Sequence, residues 1–498
     1  MMPRERSRFF SAAGLFLAIY LYGFFLVPML TDDLYITARY ARNLAAGVGF
    51  VFNAGERVLG TTTPLLALLM AGPMIVLPAT LALRIVSALT LALSSVAFLF
   101  FGRQFGRPLA GLAAGCIFPV IAPVVVCYGN EIPLCVALFL FCAGLIQARR
   151  ARLGGLAAGL FGLARGEGAL FGGLLGLWLF RRVGWRRACG YALCAFAVLG
   201  PWFLFSHQYF GAWFPRTLAI KQFQGEHYSH NPAYPPFLSG TWQFIRLSWL
   251  WPGSVYCFAA WLGLLRLLKG RGGRILLAWA LAHTALYAIL RVPGYFWYQY
   301  PLVALTAWSA GCGIELIWDG FQRIAAQRRW GIGRAGASVA IGLLALLTLA
   351  SAHQALRQDS QALANAWLTA RYQSFRQMGE YLARHAAPGE TVMLDDIGIA
   401  GFYGWPCRVL DVHGLIHRDL PPAIISDGAS LALARRPDWV KIAQAPSRDR
   451  YFTFQAAGLG PSLVYERVKQ FGTPPQDVAL FRLLPKRPPR GGAKAGIP

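Results

Sequence analysis

The sequence predicts an all-α polytopic membrane domain of about eleven transmembrane helices, followed by a small C-terminal α/β domain outside the membrane. Hydrophobic residues make up 56% of the 498-residue chain and charged residues only 14%, a poor composition for soluble surfaces. Apolar runs near the roughly 20 residues that cross a bilayer follow one another as far as residue 350, and a helix is what satisfies its own backbone in lipid. After about Ser351 apolar density falls and short strand-like runs appear.

In chain order the spans are expected at Phe10 to Leu30, Leu81 to Phe101, Pro108 to Cys127, Ile132 to Ile146, Leu153 to Ala164, Ala169 to Phe180, Ala188 to Phe205, Leu247 to Leu268, Ile275 to Leu290, Pro301 to Ile317 and Ala335 to Ala350. The first follows a basic start, is too long for a signal-peptide core and lacks a small-residue cleavage site, so it reads as a retained helix. Pro64 to Leu77 is short for a crossing. A helical stretch is expected to about His385, then strands near Thr391 to Leu394 and Arg408 to Val412. The expected divisions are a membrane domain over 1–352 with its first outer loop at 31–80, an α/β domain over 353–485, and a tail over 486–498 whose Pro, Gly and basic content predicts disorder.

Charge sets the orientation. The net charge is +26, from 47 Lys and Arg against 21 Asp and Glu, but the basic residues form short clusters between apolar runs and no nucleic-acid partner is expected. If Pro64 to Leu77 is interfacial, six clusters fall on one side: Arg4 to Arg8, Arg103 and Arg107, Arg149 to Arg152, Arg181 to Arg187, Arg266 to Arg274, and Arg323 to Arg334. The positive-inside rule makes that side cytoplasmic. The opposite side then receives the loops Thr31 to Thr80, Tyr128 to Glu131, His207 to Arg246 and Arg291 to Tyr300, with everything after about Ser351. It also receives the polar break Arg165-Gly166-Glu167-Gly168 between two short apolar segments, which suggests an invaginated cavity.

Eight of the nine cysteines lie in or beside apolar runs, where cysteine packs as a small hydrophobe, and Cys407 has no second cysteine near it for a disulfide. No paired-cysteine spacing suggests zinc, and the one spacing that could hold a metal on a helix is that of His413 and His417. His413 and His417 have a four-residue spacing, but Gly414 between them favours a surface loop, and Asp395-Asp396 reads as a turn after a strand. Neither pair is assigned a catalytic role.

The first outer loop opens with Thr31-Asp32-Asp33, then carries Arg39, Tyr40 and Asn43. Thr31 suits an N-cap, and acids in a first helical turn complement the helix dipole. Capping accounts for one acid better than for two, and a carboxylate at the mouth of a cavity is a natural general base. Arg39 and Asn43, like Ile36 and Tyr40, are four residues apart, so one helix face can pack while another stays polar.

The run from Asp32 to Leu65, D-D-x-x-I-x-x-R-Y-A-x-N-L-x-x-G-x-G-x-V-F-N-x-G-E-x-V-x-G-x-T-x-P-L, resembles the first periplasmic loop of bacterial GT-C glycosyltransferases. It is most similar to the branch containing the mycobacterial terminal arabinofuranosyltransferases. Gly129-Asn130-Glu131 resembles that family's G-x-E-T, with Ile132 in place of threonine, and Arg165-Gly166-Glu167-Gly168 resembles R-P-E-G, with glycine in place of proline. Tyr209-Phe210-Gly211 with Pro215, Thr217 and Lys221 resembles Y-F-G-x-x-x-P-x-T-x-x-x-K, and Trp297-Tyr298 with Pro301 resembles W-Y-x-x-P. The resemblance covers roughly Phe10 to Asp319. It implies a GT-C fold and a multi-pass bacterial inner-membrane enzyme with its active site on the periplasmic side. The implied reaction takes one sugar, arabinofuranose in the nearest branch, from a polyprenyl phosphate donor to a cell-envelope glycan, lipid or protein. No other cofactor and no metal are expected.

Such chemistry needs a carboxylate for the acceptor hydroxyl and cations for the departing phosphate. Asp32 is the first choice for the carboxylate and Asp33 the second. Arg39, Arg165 and Lys221 suit the phosphate. Tyr40, Asn43, Glu131, Glu167, Tyr295, Trp297 and Tyr298 are expected to orient sugar or acceptor. Plainer readings stand beside these: Arg165 paired with Glu167 at a helix break, Lys221 as a snorkelling anchor, and the late aromatics as an interfacial belt. Three other functions are weighed: an O-antigen-ligase-type oligosaccharide transferase, a non-enzymatic lipid or sugar transporter, and an assembly or receptor protein anchored by its helices, for which eleven spans are excessive. A transporter would place ionisable residues near the midplane between repeats, whereas here they gather at one interface.

Overall fold

A computed structural model describes residues 3–227, 235–246, 249, 255–327, 360–418, 428–443, 450–455, 462–474 and 477–484. The expected span Ala335 to Ala350, the 352/353 boundary and the tail 486–498 lie outside these residues. The chain forms two compact units, one of Met1–Val51 with Leu59–Asn365, the other of Phe52–Val58 with Ala366–Pro498.

The first unit is helical. Its helices are α1 (Pro3–Leu26), α2 (Asp32–Ala45), α3 (Pro64–Met74), α4 (Ala79–Gln104), α5 (Pro108–Ile117), α6 (Ala122–Val126), α7 (Ile132–Gln147) and α8 (Ala151–Ala164). They continue with α9 (Glu167–Val183), α10 (Trp185–Phe210), α11 (Thr217–His227), α12 (Phe237–Ile245), α13 (Val255–Lys269), α14 (Arg271–Ile289) and α15 (Tyr300–Gln327). Among the described residues, four helical segments are long and apolar enough to cross a membrane: Ala79–Gln104, Trp185–Phe210, Arg271–Ile289 and Phe296–Ile324. Shorter apolar helices, including Ile132–Gln147 and Ala151–Ala164, accompany them.

The run expected as one span from Pro108 to Cys127 is broken. Helix α5 passes into a short 3-10 turn at Phe118–Val120, Ile121 is extended, and α6 lasts five residues. Pro119 and Pro123 lie at these junctions and lack the amide a continuous helix requires. The break turns Cys127 to Glu131 back toward the start of α2, as described below.

Helices α4 and α5 approach closely because Gly102 and Gly111 face each other; a Cβ on either would collide with the opposite backbone. At the basic end Arg107 bonds Glu315 at 2.5 Å, and Arg266 bonds the same Glu315 at 3.2 Å and Asp319 at 2.7 Å. Two of the basic clusters therefore meet at one end of the bundle.

Helix α16 (Ser360–His385), which belongs to the second unit from Ala366 on, is followed by a six-stranded sheet of order β2-β1-β3-β6-β5-β4. Strand β1 (Thr391–Leu394) runs parallel to β2 (Arg408–Asp411) and β3 (Trp439–Ala443). Strands β4 (Tyr451–Gln455), β5 (Ser462–Phe471) and β6 (Val478–Leu483) complete it in antiparallel pairings. Helices α17 (Gly398–Tyr403) and α18 (Gly428–Arg435) connect the parallel strands. Val440, Tyr465 and Phe481 form its fully buried core. Strand β2 is an edge, and the loop segment Phe52–Val58 covers it. Asn53 accepts from the Val409 amide at 3.0 Å and donates to the Val409 carbonyl at 2.8 Å, while Glu56 pairs with Arg408. An exposed strand edge is thereby given a partner.

Asp395 and Asp396 do more than form a turn. Both bind the buried ammonium of Lys441, Asp396 at 3.2 Å, and Arg371 bonds Asp396 at 2.5 Å. Burial raises the Asp396 pKa, but Lys441 and Arg371 outweigh it and hold the carboxyl at about 2, below its ordinary 3.8. A depressed carboxyl stabilises the fold above its unfolded pKa, and that stability is lost as pH falls from 3.8 through about 2. Asp396→Asn is expected to cost on the order of 1–2 kcal/mol at pH 7, reduced because the side chain keeps water contact. Hydrogen exchange of β1 and β3 in the full chain measures this, with the difference from wild type shrinking below pH 3.8 and vanishing only below about pH 2. His417 also departs from the surface loop expected: it is buried, and its Nε2 accepts from the Asp411 amide at 2.8 Å.

Candidate functional site

Thr31 stands at the N-cap of α2 with extended backbone, but its side chain makes no capping bond. Its hydroxyl donates instead to the Val126 carbonyl at 2.7 Å. That bond ties the Asp32-Asp33 turn to the end of α6, beside Cys127 to Glu131. Asp33 is exposed and Asp32 half-buried. Asp33 lies within electrostatic range of Cys127, Glu131 and Tyr298.

The rest of the first loop is held by polar bonds. Tyr40, fully buried, accepts from the Gly60 amide at 2.9 Å, and Asn43 donates to the Val51 carbonyl at 2.8 Å. Thr37 lies 3.1 Å from both Thr61 and Thr63. Arg39 is buried at 2% exposure, two turns beyond Asp32. The loop then engages α11: Arg216 donates its amide to the Leu59 carbonyl at 3.2 Å and Thr217 its hydroxyl to that of Gly60 at 2.9 Å. This fixes Lys221, one turn further along α11.

Arg165 lies at the junction of α8 and α9 with extended backbone and 5% exposure. Its Nη1 donates to Glu131, its Nε to Glu167 Oε1 at 2.6 Å and its Nη2 to the Tyr287 hydroxyl at 3.0 Å. Tyr287 and Tyr300 also donate to Glu167 Oε1, at 2.7 and 3.3 Å. One guanidinium thus joins two carboxylates from separate helices, and two tyrosines complete the shell. The geometry matches the pairing that the sequence allowed for Arg165 and Glu167, extended to Glu131.

The aromatic segment connects the two cations. Lys221 Nζ lies 4.7 Å from the Tyr295 ring centre, and Arg165 lies 4.9 Å from that of Tyr298. Tyr295 stacks on Trp297 at 4.4 Å and tilts against Tyr298 at 5.8 Å. Tyr298 is buried, whereas Tyr295 and Trp297 are partly exposed. The segment is a 3-10 turn, Phe296–Gln299, whose Tyr298 carbonyl lies 2.9 Å from His283 Nε2.

The structure therefore gathers the start of α2, Glu131, Arg165, Glu167, Lys221 and the late aromatics at one end of the first unit. Arg107, Arg266, Glu315 and Asp319 lie near the opposite ends of α5, α13 and α15. Sequence reasoning missed Tyr287 and His283, and it placed Tyr300 only among the late aromatics, not on Glu167. The available signal was His283 and Tyr287 four residues apart in the apolar run after Arg274, a spacing that places both on one buried face.

Comparisons agree with this architecture. The structure is similar to ArnT from Cupriavidus metallidurans bound to undecaprenyl phosphate, with a TM-score of 0.55, 13% identity, and coverage of 94% of this chain and 97% of that one. For apo ArnT the TM-score is 0.57, with 14% identity and 96% and 98% coverage. These likenesses show that the chain shares the fold of ArnT, and the apolar helices are consistent with a multi-pass membrane protein. A terminal beta-(1->2)-arabinofuranosyltransferase of Mycobacterium tuberculosis is 32% identical over 231 residues, 41% of this chain and 37% of that protein's length. The chain thus spans under two fifths of the curated relative it matches. Residues 363–483 match a family model described as a domain of unknown function, DUF8728.

Proposed function

We propose that the chain is a membrane glycosyltransferase that moves a monosaccharide from a polyprenyl phosphate donor to an acceptor outside the cytoplasmic membrane. The observation that carries this is the convergence of Asp33, Glu131, Arg165, Glu167 and Lys221 around the segment 295–300. Acidic and cationic groups are brought to the end of a lipid-embedded bundle where a lipid-borne phosphate and a water-borne hydroxyl can meet. The similarity to a protein bound to undecaprenyl phosphate supports the donor class, and the arabinofuranosyltransferase similarity supports arabinofuranose as the sugar.

In this reading the exposed Asp33, with Asp32 beside it, takes the proton of the acceptor hydroxyl. The acceptor oxygen bonds the anomeric carbon as the bond from that carbon to the phosphate oxygen breaks, and the electron pair leaves with the polyprenyl phosphate. Lys221 and Arg39 balance the charge that remains there. Arg165 serves as a positioning residue that fixes Glu131 and Glu167 toward sugar hydroxyls. Tyr40 and Asn43 shape the loop, and Tyr295, Trp297 and Tyr298 give the sugar or carrier an aromatic surface. About eleven crossings and a periplasmic site complete the proposal, with the acceptor a wall glycan, a lipid-linked glycan or a protein.

The test reconstitutes the full chain with a synthetic polyprenyl phosphate arabinofuranose and, in parallel, a polyprenyl diphosphate oligosaccharide. Transfer with release of free polyprenyl phosphate supports the proposal. Consumption of only the diphosphate donor would make the chain an O-antigen-ligase-type transferase, and movement of either lipid across the bilayer without bond cleavage would make it a transporter.

A further inference from the structure

A groove of about 550 Å³ runs between α7, α9 and α14, its inner wall packing on Tyr300 and its charged residues at the start of α14. Phe139, Phe171, Leu175 and Trp279 line its apolar length, and Arg271 and Arg274 line its mouth. From Arg271 to Ala282, which also lines it, the groove follows α14 for eleven residue rises, about 16 Å. That is about half of the roughly 30 Å hydrocarbon thickness, the depth of one leaflet.

The charge lies at one end only. Arg271 and Arg274 are exposed and have no carboxylate partner among the described residues. They occupy the first turn of α14, whose N-terminus has no side-chain cap and carries the positive end of the helix dipole. Deeper in, the Trp279 ring stacks on Phe139 at 3.7 Å and closes the apolar wall.

We infer that this groove is a binding site for an anionic glycerophospholipid of the leaflet on the basic side, with phosphate at Arg271 and Arg274 and one acyl chain along Phe139, Phe171 and Leu175. Headgroup and chain match the order of cations and apolar wall along the groove. The donor proposed above holds its phosphate at the other end of the bundle, so this is a second lipid site and does not rest on the proposed activity.

Native mass spectrometry of the full chain, purified in detergent and supplied with phosphatidylglycerol or phosphatidylcholine, tests it. The wild type is expected to retain phosphatidylglycerol at least tenfold better than phosphatidylcholine. The doubly substituted Arg271→Gln/Arg274→Gln chain should lose that preference. Thermal unfolding in the same detergent checks that the variant is folded. Equal retention of the two lipids by wild type, or an undiminished phosphatidylglycerol preference in the double variant, would overturn the inference. So would displacement of the retained phosphatidylglycerol by stoichiometric polyprenyl phosphate, which would make the groove a carrier site.

Discussion

Arg165→Met is expected to destabilise the membrane unit by about 3–5 kcal/mol and to abolish transfer. The size follows from what is left behind. Glu131 and Glu167, buried behind 13% and 12% side-chain exposure, would lose the cation they share, and an unpaired buried charge is far more costly than an absent pair. Tyr287 would lose the guanidinium donor at 3.0 Å while still donating to Glu167 at 2.7 Å. Thermal unfolding in detergent measures the loss, and Glu167→Gln combined with Arg165→Met should recover part of it, because the two residues act as one network. An unchanged melting temperature for the single variant would mean that the network contributes nothing to the fold.

Asp33→Asn is expected to lower the transfer rate by roughly 10²- to 10⁴-fold with little change in stability. Asp33 is exposed, so the substitution removes charge and basicity without opening a cavity. Asp32 is half-buried and has a partner within the fold, so Asp32→Asn combines any catalytic loss with a structural one. Steady-state rates with each variant, compared with their melting temperatures, separate the two roles. If both transfer at the wild-type rate, the carboxylates of this turn are not the base.

Most of the helical framework was legible because apolar length in a bilayer is a strong constraint: α4, α7, α8, α10 and α14 lie where apolar runs predict them. The break between α5 and α6 was marked by Pro119 and Pro123, but hydropathy alone reads across it. In the second unit β1 and β2 were legible as short apolar runs before polar turns, whereas β3 to β6 mix charged and apolar residues and are specified by pairing with distant strands. The membership of Phe52–Val58 in that unit depends on Asn53 reaching Val409, a contact between residues far apart in the chain.

The candidate site divides the same way. Charged residues interrupting apolar sequence announce themselves, since burial of charge is costly unless it is paired. Tyr287 and Tyr300 resemble ordinary packing residues in a helix, and only the geometry reveals their hydroxyls on Glu167. Thr31 shows the reverse: its sequence position fits a cap, yet its bond to Val126 is what brings Asp33 toward Glu131.

The central claim is that the chemistry lies at the membrane face opposite the basic loops. Single cysteines at Asp33, Lys221 and Arg271, introduced after the exposed Cys189 is replaced, test it through labelling of intact cells with a membrane-impermeant thiol reagent. Labelling at 33 and 221, with 271 reacting only after the membrane is opened, is the predicted result. Labelling at 271 in intact cells, or protection of 33 or 221 until the membrane is opened, would contradict it.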